Sequence, residues 1–464
     1  MLTRLRVQGF KNLLDVDVCF GPFTCIAGPN GAGKSNLFDA IRFLSLLTKH
    51  PIMEAVQLLR ETKGRSPEPG SLFTAMQGRV APEMRFTADL IIDRNVQDDF
   101  GVPAIAAISS LRYEVAFRLS KEDGADRLEL FSESLQPMRL EEARRAVAFP
   151  ASTEFKTSAI AGRRVGAFIS TDESGSITVH QEGHGGRKVP APKSSRTVIG
   201  GLASSDFPTV LAAQREMASW QTLLLEPSAM RSPSFYQDPR SLDSRGANLP
   251  ATINRLQKHE KRPGQVCAEL ANLLSRLIED TAQLNVRDDP KTETLTLEVR
   301  GRDGLSHPAR ALSDGTLRFL VLATLRLDPQ ARGLICLEEP ENGIHPERIP
   351  AIVQLLRDIA VDPQYAVGEE NPLRQVVVNT HSPEVVQNIT ADELLIIEDQ
   401  TYAVNGARGR VAAVQVPEDS WRARAMPDAD RVAPGTVRWY LGYAAPQQNR
   451  QMWLDFAGEG RQPA

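Results

Sequence analysis

Eight residues near the amino terminus constrain this chain more than anything else in it. Gly28-Pro-Asn-Gly-Ala-Gly-Lys-Ser35 reads G-x-x-x-x-G-K-[ST]. It stands between an apolar segment, Phe23-Thr-Cys-Ile-Ala27, and a run carrying Leu37, Ile41, Leu44 and Leu47 at helical spacing. A strand that feeds a glycine-rich turn opening a helix is the context in which the pattern has physical meaning. Gly28, Gly31 and Gly33 let the backbone curl so that successive N–H groups point inward at a phosphate, and the helix N-terminus adds partial positive charge. Pro29, Asn30, Ala32 and Asn36 complete the cradle and its first helical turn. Lys34 is placed to reach β- and γ-phosphates, and the Ser35 hydroxyl to ligate Mg²⁺. ATP with Mg²⁺ is the expected ligand.

A second set of residues completes such a site about 300 residues later. Gly333-Leu-Ile-Cys-Leu-Glu-Glu-Pro340 is an apolar strand ending in two carboxylates. This puts Glu338 near the metal, through water, and leaves Glu339 one residue further on to polarise an attacking water. Ala311-Leu-Ser-Asp-Gly-Thr-Leu-Arg318 opens the preceding helix. Ser313 is an N-cap candidate there, and with Gly315 it makes an anion site. Asn379-Thr-His-Ser-Pro383 follows the next apolar strand, so His381 sits at a strand's C-terminal end, where ligands bind in open α/β sheets.

Around these motifs the chain alternates. Leu2 to Val7 and Asp15 to Phe20 read as strands, as do Met84 to Ile92, Ser110 to Ser120 and Arg127 to Leu135, the latter three forming an antiparallel sheet beside the first strands. From Ser313 the order is helix, strand, helix, strand, short helix, strand Leu394 to Glu398, which marks a parallel sheet with crossover helices. Between these halves, Pro, Ser and Gly clusters (Glu182 to Gly186, Pro190 to Pro192, Pro227 to Pro239) suggest a lid or insertion, and a helix from Gly264 to Asp280 leads back. The predicted fold is therefore α/β, a P-loop NTPase head with a flanking antiparallel sheet and an inserted α/β lid domain. Residues 1–138 and 281–400 make the two halves of the head, 139–280 the insertion and 401–464 a tail.

Composition excludes several classes. Among 464 residues, 41% apolar and 24% charged describe an ordinary globular protein. Four scattered cysteines, Cys19, Cys25, Cys267 and Cys336, have no metal-site spacing and suggest a reducing compartment. No apolar run spans a membrane and no signal-peptide core is visible, so a cytoplasmic location is expected. The net charge of −4 argues against a surface wholly devoted to nucleic acid. It is uneven, however: residues 139–262 carry 18 Lys plus Arg against 12 Asp plus Glu, a net of +6, leaving −10 on the rest. DNA or an acidic partner gripped by the insertion is one reading; arginines such as Arg144, Arg145, Arg163 and Arg164 paired with the head's carboxylates, or merely solvating a lid, is the other.

Taken together, Phe10-Lys-Asn12, Gly28 to Ser35, Leu312-Ser-Asp-Gly315, Leu337-Glu-Glu-Pro-Glu341 and Thr380-His-Ser-Pro383 resemble the ABC-type ATPase heads of the RecF, SMC and OLD group. They are most similar to compact bacterial AAA-family ATPases that read LSDGT and EEPENGIHP at these places. The resemblance implies a homodimer with ATP sandwiched between two heads, or a higher oligomer built from it. Ser313 and Gly315 would touch nucleotide in trans, Glu339 would be the catalytic base and His381 the switch histidine. Lys11 and Asn12 would lie near the base or α-phosphate, and Glu341 and His345 in the dimer-facing segment. Two departures stand out: Glu338 replaces the usual Asp, and the Q-loop glutamine is not placed, with Gln77, Gln214 and Gln221 all open.

The 278 residues between Ser35 and Ser313 and the LSDG signature argue against a transporter subunit, and missing heptads against a true SMC arm. Ser420 to Pro427, before Asp428-Ala-Asp430, is no apolar strand and so cannot carry the carboxylates of a TOPRIM nuclease. The expected role is an ATP-gated sensor or regulator in anti-phage defence that controls a separate nuclease or toxin effector. A RecF-like DNA repair ATPase and a slow ATP-bound scaffold are the alternatives.

Overall fold

The computed structural model describes residues 1–59, 68–77, 79–122, 124–180, 186–190, 194–258, 264–275, 281–404 and 407–433. Glu182-Gly-His-Gly185, the last residues of the helix expected to reach Asp280, and Trp439-Tyr440 lie outside these residues.

A seven-stranded sheet runs through the middle in the order Gln221–Leu223, Gly333–Glu338, Arg374–Thr380, Phe23–Ala27, Leu394–Val404, Ala407–Pro417, Asp430–Val432. The first five are parallel and the pairing of Leu394–Val404 with Ala407–Pro417 is antiparallel. Phe23–Ala27 and Arg374–Thr380 are buried at every residue, which is why neither shows the alternation of a half-buried strand. Successive side chains still divide between two cores: Ile26 faces one, Phe23 and Cys25 the other.

The first core lies between this sheet and an antiparallel one of eight strands, with helix Lys34–Leu47 as the filling. That helix is buried around most of its girth: Leu37, Ile41 and Leu44 and also Phe38 and Phe43 are covered. Phe43 meets Phe10, Phe86 and Phe117 of the antiparallel strands with ring centroids 5.7 to 6.3 Å apart. The second core sits on the opposite face of the parallel sheet, under helices Leu249–Gln257, Val266–Ser275, Asp314–Leu327 and Ile349–Ile359.

Two expectations need correction. Residues 139–280 do not form a separate layer among the described residues. Ile169–Thr171, Ser176–His180 and Gly186–Pro190 extend the antiparallel sheet outward from Ala125–Pro137, while Gln221–Leu223 joins the parallel sheet beside Gly333–Glu338. Phe149 and Phe155 of the same stretch are in the first core. Nor is 401–433 a tail. Arg422, fully buried, donates to Cys19 O at 2.9 Å and to Thr24 Oγ1 at 2.8 Å, pinning helix Trp421–Ala425 to the sheet. Ile169–Thr171 and Gln221–Leu223 have too few residues to show a period, and this is why the sequence hid them.

Candidate functional site

Parallel strands deliver the motifs to one sheet edge. Ala27 is opposite Thr380, and Asn379 opposite Glu338, so the residues that follow, Gly28, His381 and Glu339, emerge side by side. This is the carboxyl end of the strands, where open α/β sheets place ligands.

The loop from Gly28 to Lys34 is held from outside. A Cβ on Gly28 would lie 2.1 Å from Ile397 O, and one on Gly33, whose φ is 116°, 2.8 Å from the Asn12 amide. Asn12 itself donates to Ala32 O at 3.2 Å and accepts from Asn36 Nδ2 at 2.8 Å, while its backbone oxygen accepts from Ala412 N–H at 2.9 Å. At Gly31 a Cβ would meet nothing within 4 Å, so the mouth of the loop is open. The Lys34 ammonium donates to Gly28 O at 2.6 Å and Pro29 O at 2.9 Å. Burial pushes its pKa down, against the opposing pull of Glu339, Glu341 and Glu338. A desolvated cation on two backbone carbonyls, facing open amides, suits a polyphosphate. Ser35 and Glu338, both half-buried, offer a hydroxyl and a carboxylate for Mg²⁺, a set that leaves its other positions to phosphate and water.

Glu339 is the best-held side chain here. Its φ is 46°, unusual for a non-glycine, and its N–H donates to Asn379 O at 3.0 Å and Oδ1 at 3.1 Å. Its carboxylate meets His381 Nδ1 at 2.9 Å on one oxygen and accepts from Asn342 Nδ2 at 2.7 Å on the other. His381 is exposed beside it. Asn379 and Asn342 were not singled out in the sequence, although both lie inside the motifs quoted above; an asparagine's partners are invisible without the fold.

The signature residues fold as expected locally. Ser313 caps helix Asp314–Leu327, accepting from Thr316 N–H at 3.2 Å, and is itself exposed. Gly315 is packed so that a Cβ would lie 2.8 Å from Gly343 O, tying this helix start to the turn after Glu339. Asp314 pairs with Arg231, which also donates to Leu312 O at 3.0 Å. Other candidates are less free. Lys11 Nζ binds Asp39 at 2.5 Å, an acidic partner the sequence did not suggest, and His345 is exposed 3.7 Å from Glu347. Of the three glutamines, Gln214 donates to Thr48 O at the far end of the loop helix, and Gln221 begins its strand, at the opposite end from Glu339. Gln77 lies beside strand Ala75–Met76, whose Met76 packs on Gly409. Among the described residues no cluster of three His, Cys, Asp or Glu suits a metal, and no helix is long and apolar enough to cross a membrane.

The loop, the strand-end carboxylates, the capped signature and the histidine on one parallel sheet define an ABC-type ATPase head of the RecF, SMC and OLD group. The chain belongs to the family described as "AAA domain, putative AbiEii toxin, Type IV TA system", whose model matches residues 23–387. Local similarity extends to an OLD nuclease of Thermus scotoductus, 54% identical over 41 residues, which is 9% of this chain and 8% of that protein. It also extends to the DNA replication and repair protein RecF of Parabacteroides distasonis, 45% identical over 51 residues, 11% of this chain and 14% of that protein. The matches thus span less than a sixth of either relative. Among solved structures, an SMC head bound to the C-terminal winged-helix domain of ScpA aligns over 89% of this chain and 97% of that one, with 13% identity and a TM-score of 0.46.

Proposed function

We propose that the chain binds ATP between two heads and hydrolyses it slowly to ADP and phosphate. The observation that carries this reading is the Glu339 carboxylate, fixed by His381 and Asn342 on the sheet edge that also carries Lys34. Lys34 leaves its two carbonyls for the β- and γ-phosphates, and the loop amides take the remaining oxygens. Ser35 and Glu338 would hold Mg²⁺, which would supply charge neutralisation to the phosphates. Water adds to the γ-phosphorus as the bond to the bridging oxygen breaks. Glu339 takes the proton, and ADP leaves with the electron pair. His381 keeps Glu339 oriented and senses the γ-phosphate. Ser313, exposed at a helix start, and Gly315 behind it contact the nucleotide of the opposite head. Lys11 and Asn12 flank the loop toward the base or α-phosphate, acting through Asp39 and Asn36.

The biological role we infer is that of a sensor or regulator in anti-phage defence, whose dimer controls a separate nuclease or toxin. The toxin–antitoxin description of its family supports this. The local likeness to RecF favours the second reading, DNA repair. A nuclease or toxin gene beside this one favours defence, and recombination genes favour repair. Chemically, Glu339→Gln tests the site: turnover should fall at least about 100-fold while ATP drives a persistent dimer on size exclusion. Equal turnover in variant and wild type removes Glu339 as the base.

A further inference from the structure

The motif after the two strand-end carboxylates contains a third, Glu341, for which the hydrolytic reading has no task. Its surroundings are specific. Thr380 Oγ1, completely buried, donates to Glu341 Oε1 at 2.5 Å and accepts from Ser382 N–H at 2.9 Å. Thr380 and Ser382 are the residues on either side of His381. Glu341 in turn lies two residues beyond Glu339, in a turn closed by Asn342 N–H to Glu339 O and Ile344 N–H to Glu341 O. The Glu341–Thr380 contact therefore joins, at a second point, the same two loops that the Glu339–His381 contact joins at the first. Asn379 is already tied to the Glu339 N–H, so this contact fixes the stretch beyond it, on which His381 sits.

The residue type matters. Glu341 Oε2 is buried and has no hydrogen-bond partner among the described residues, and burial raises the carboxyl's pKa above its ordinary value. An orphaned carboxylate oxygen is costly, and a brace that served only stability would be better made from apolar packing. We infer that Glu341 is a positioning residue for hydrolysis, which holds the His381 loop through Thr380 so that the imidazole stays on the Glu339 carboxylate. The inference rests on the roles proposed above for Glu339 and His381.

The test is a double-mutant cycle on ATP turnover in the full chain. Glu341→Ala and Thr380→Val should each lower kcat about tenfold with KM for ATP unchanged, because neither side chain touches the loop amides. Glu341→Gln and Thr380→Ser, which keep the acceptor and the donor, should stay within about threefold of wild type. In a His381→Ala background, Glu341→Ala should slow turnover no further. A further tenfold loss in that background, or a loss confined to KM, overturns the inference. A His381→Ala variant that turns over like wild type removes the role of His381 as well, which separates failure of the site from failure of the brace. If Glu341→Ala misfolds, the Glu341→Gln and Thr380→Ser pair decides alone, since an inactive but folded Thr380→Ser also sinks the idea.

Discussion

A methyl group at position 28 would lie 2.1 Å from the carbonyl oxygen of Ile397, and neither backbone can yield without displacing the other. Gly28→Ala should therefore cost about 1–3 kcal/mol of stability, the usual penalty of overpacking, and weaken nucleotide binding as well, because the displaced atoms carry the carbonyl that holds Lys34. Chemical denaturation and equilibrium nucleotide titration on the same variant check both halves; a stable variant with normal affinity would mean the loop is looser than its packing suggests. The glycine pattern of the loop was legible in the sequence because its cause is local. What was not legible is the wall behind it. Ile397 and Ala412 lie some 370 to 385 residues further along, in strands that the motif reading had no reason to connect with the loop. The same holds for Asn379, whose bonds to the Glu339 N–H exist only once two strands lie in register.

The long elements beside the motifs were readable, whereas the eleven-residue strand Ala407–Pro417 was not. Phe23–Ala27 and Lys34–Leu47 fall where the apolar pattern placed them, and Asp314–Leu327 starts where Ser313 was expected to cap it. Three-residue strands such as Ile169–Thr171 and Gln221–Leu223 carry no period, and their assignment depends on the neighbour they pair with. One such region is fastened by a buried acid. Glu133 in strand Ala125–Pro137 accepts from the N–H groups of Val198 and Ile199, at 2.6 and 2.9 Å, and from the Tyr113 hydroxyl at 3.1 Å. Those bonds favour the charged form, but desolvation outweighs them and lifts the carboxyl to about 7 from 4.5. The folded chain then binds the proton more tightly than the unfolded one. Glu133 stabilises the fold fully below about pH 4.5, and the contribution is lost as pH rises to about 7, on the order of 3 kcal/mol in all. Glu133→Gln, which keeps an acceptor and loses the charge, should flatten that slope. An unchanged pH profile of denaturation midpoints would show that the carboxyl titrates near its ordinary value.

At the scale of the whole molecule the uneven charge acquires a structural meaning. Three arginines of the basic stretch are paired with carboxylates outside it: Arg215 with Asp99, Arg231 with Asp314 and Arg255 with Asp328. Part of the excess is therefore internal bookkeeping between the two halves of the chain, and Arg164 is laid over the Phe168 ring. Arg144, Arg145 and Arg163 are exposed, the first two in the last turn of helix Leu140–Ala146, where a cation also suits the helix dipole. We propose that any DNA contact runs through these three. A contact made by these three alone should hold duplex DNA weakly, and log affinity should fall against log salt with a slope no steeper than about −3, near 0.9 per phosphate. Changing all three to Glu should abolish retention on duplex at low salt. A triple variant that binds as before, or a slope of about −6 or steeper, would place the DNA contact elsewhere, while a wild type that does not bind at any salt would leave an acidic protein as the partner for that surface.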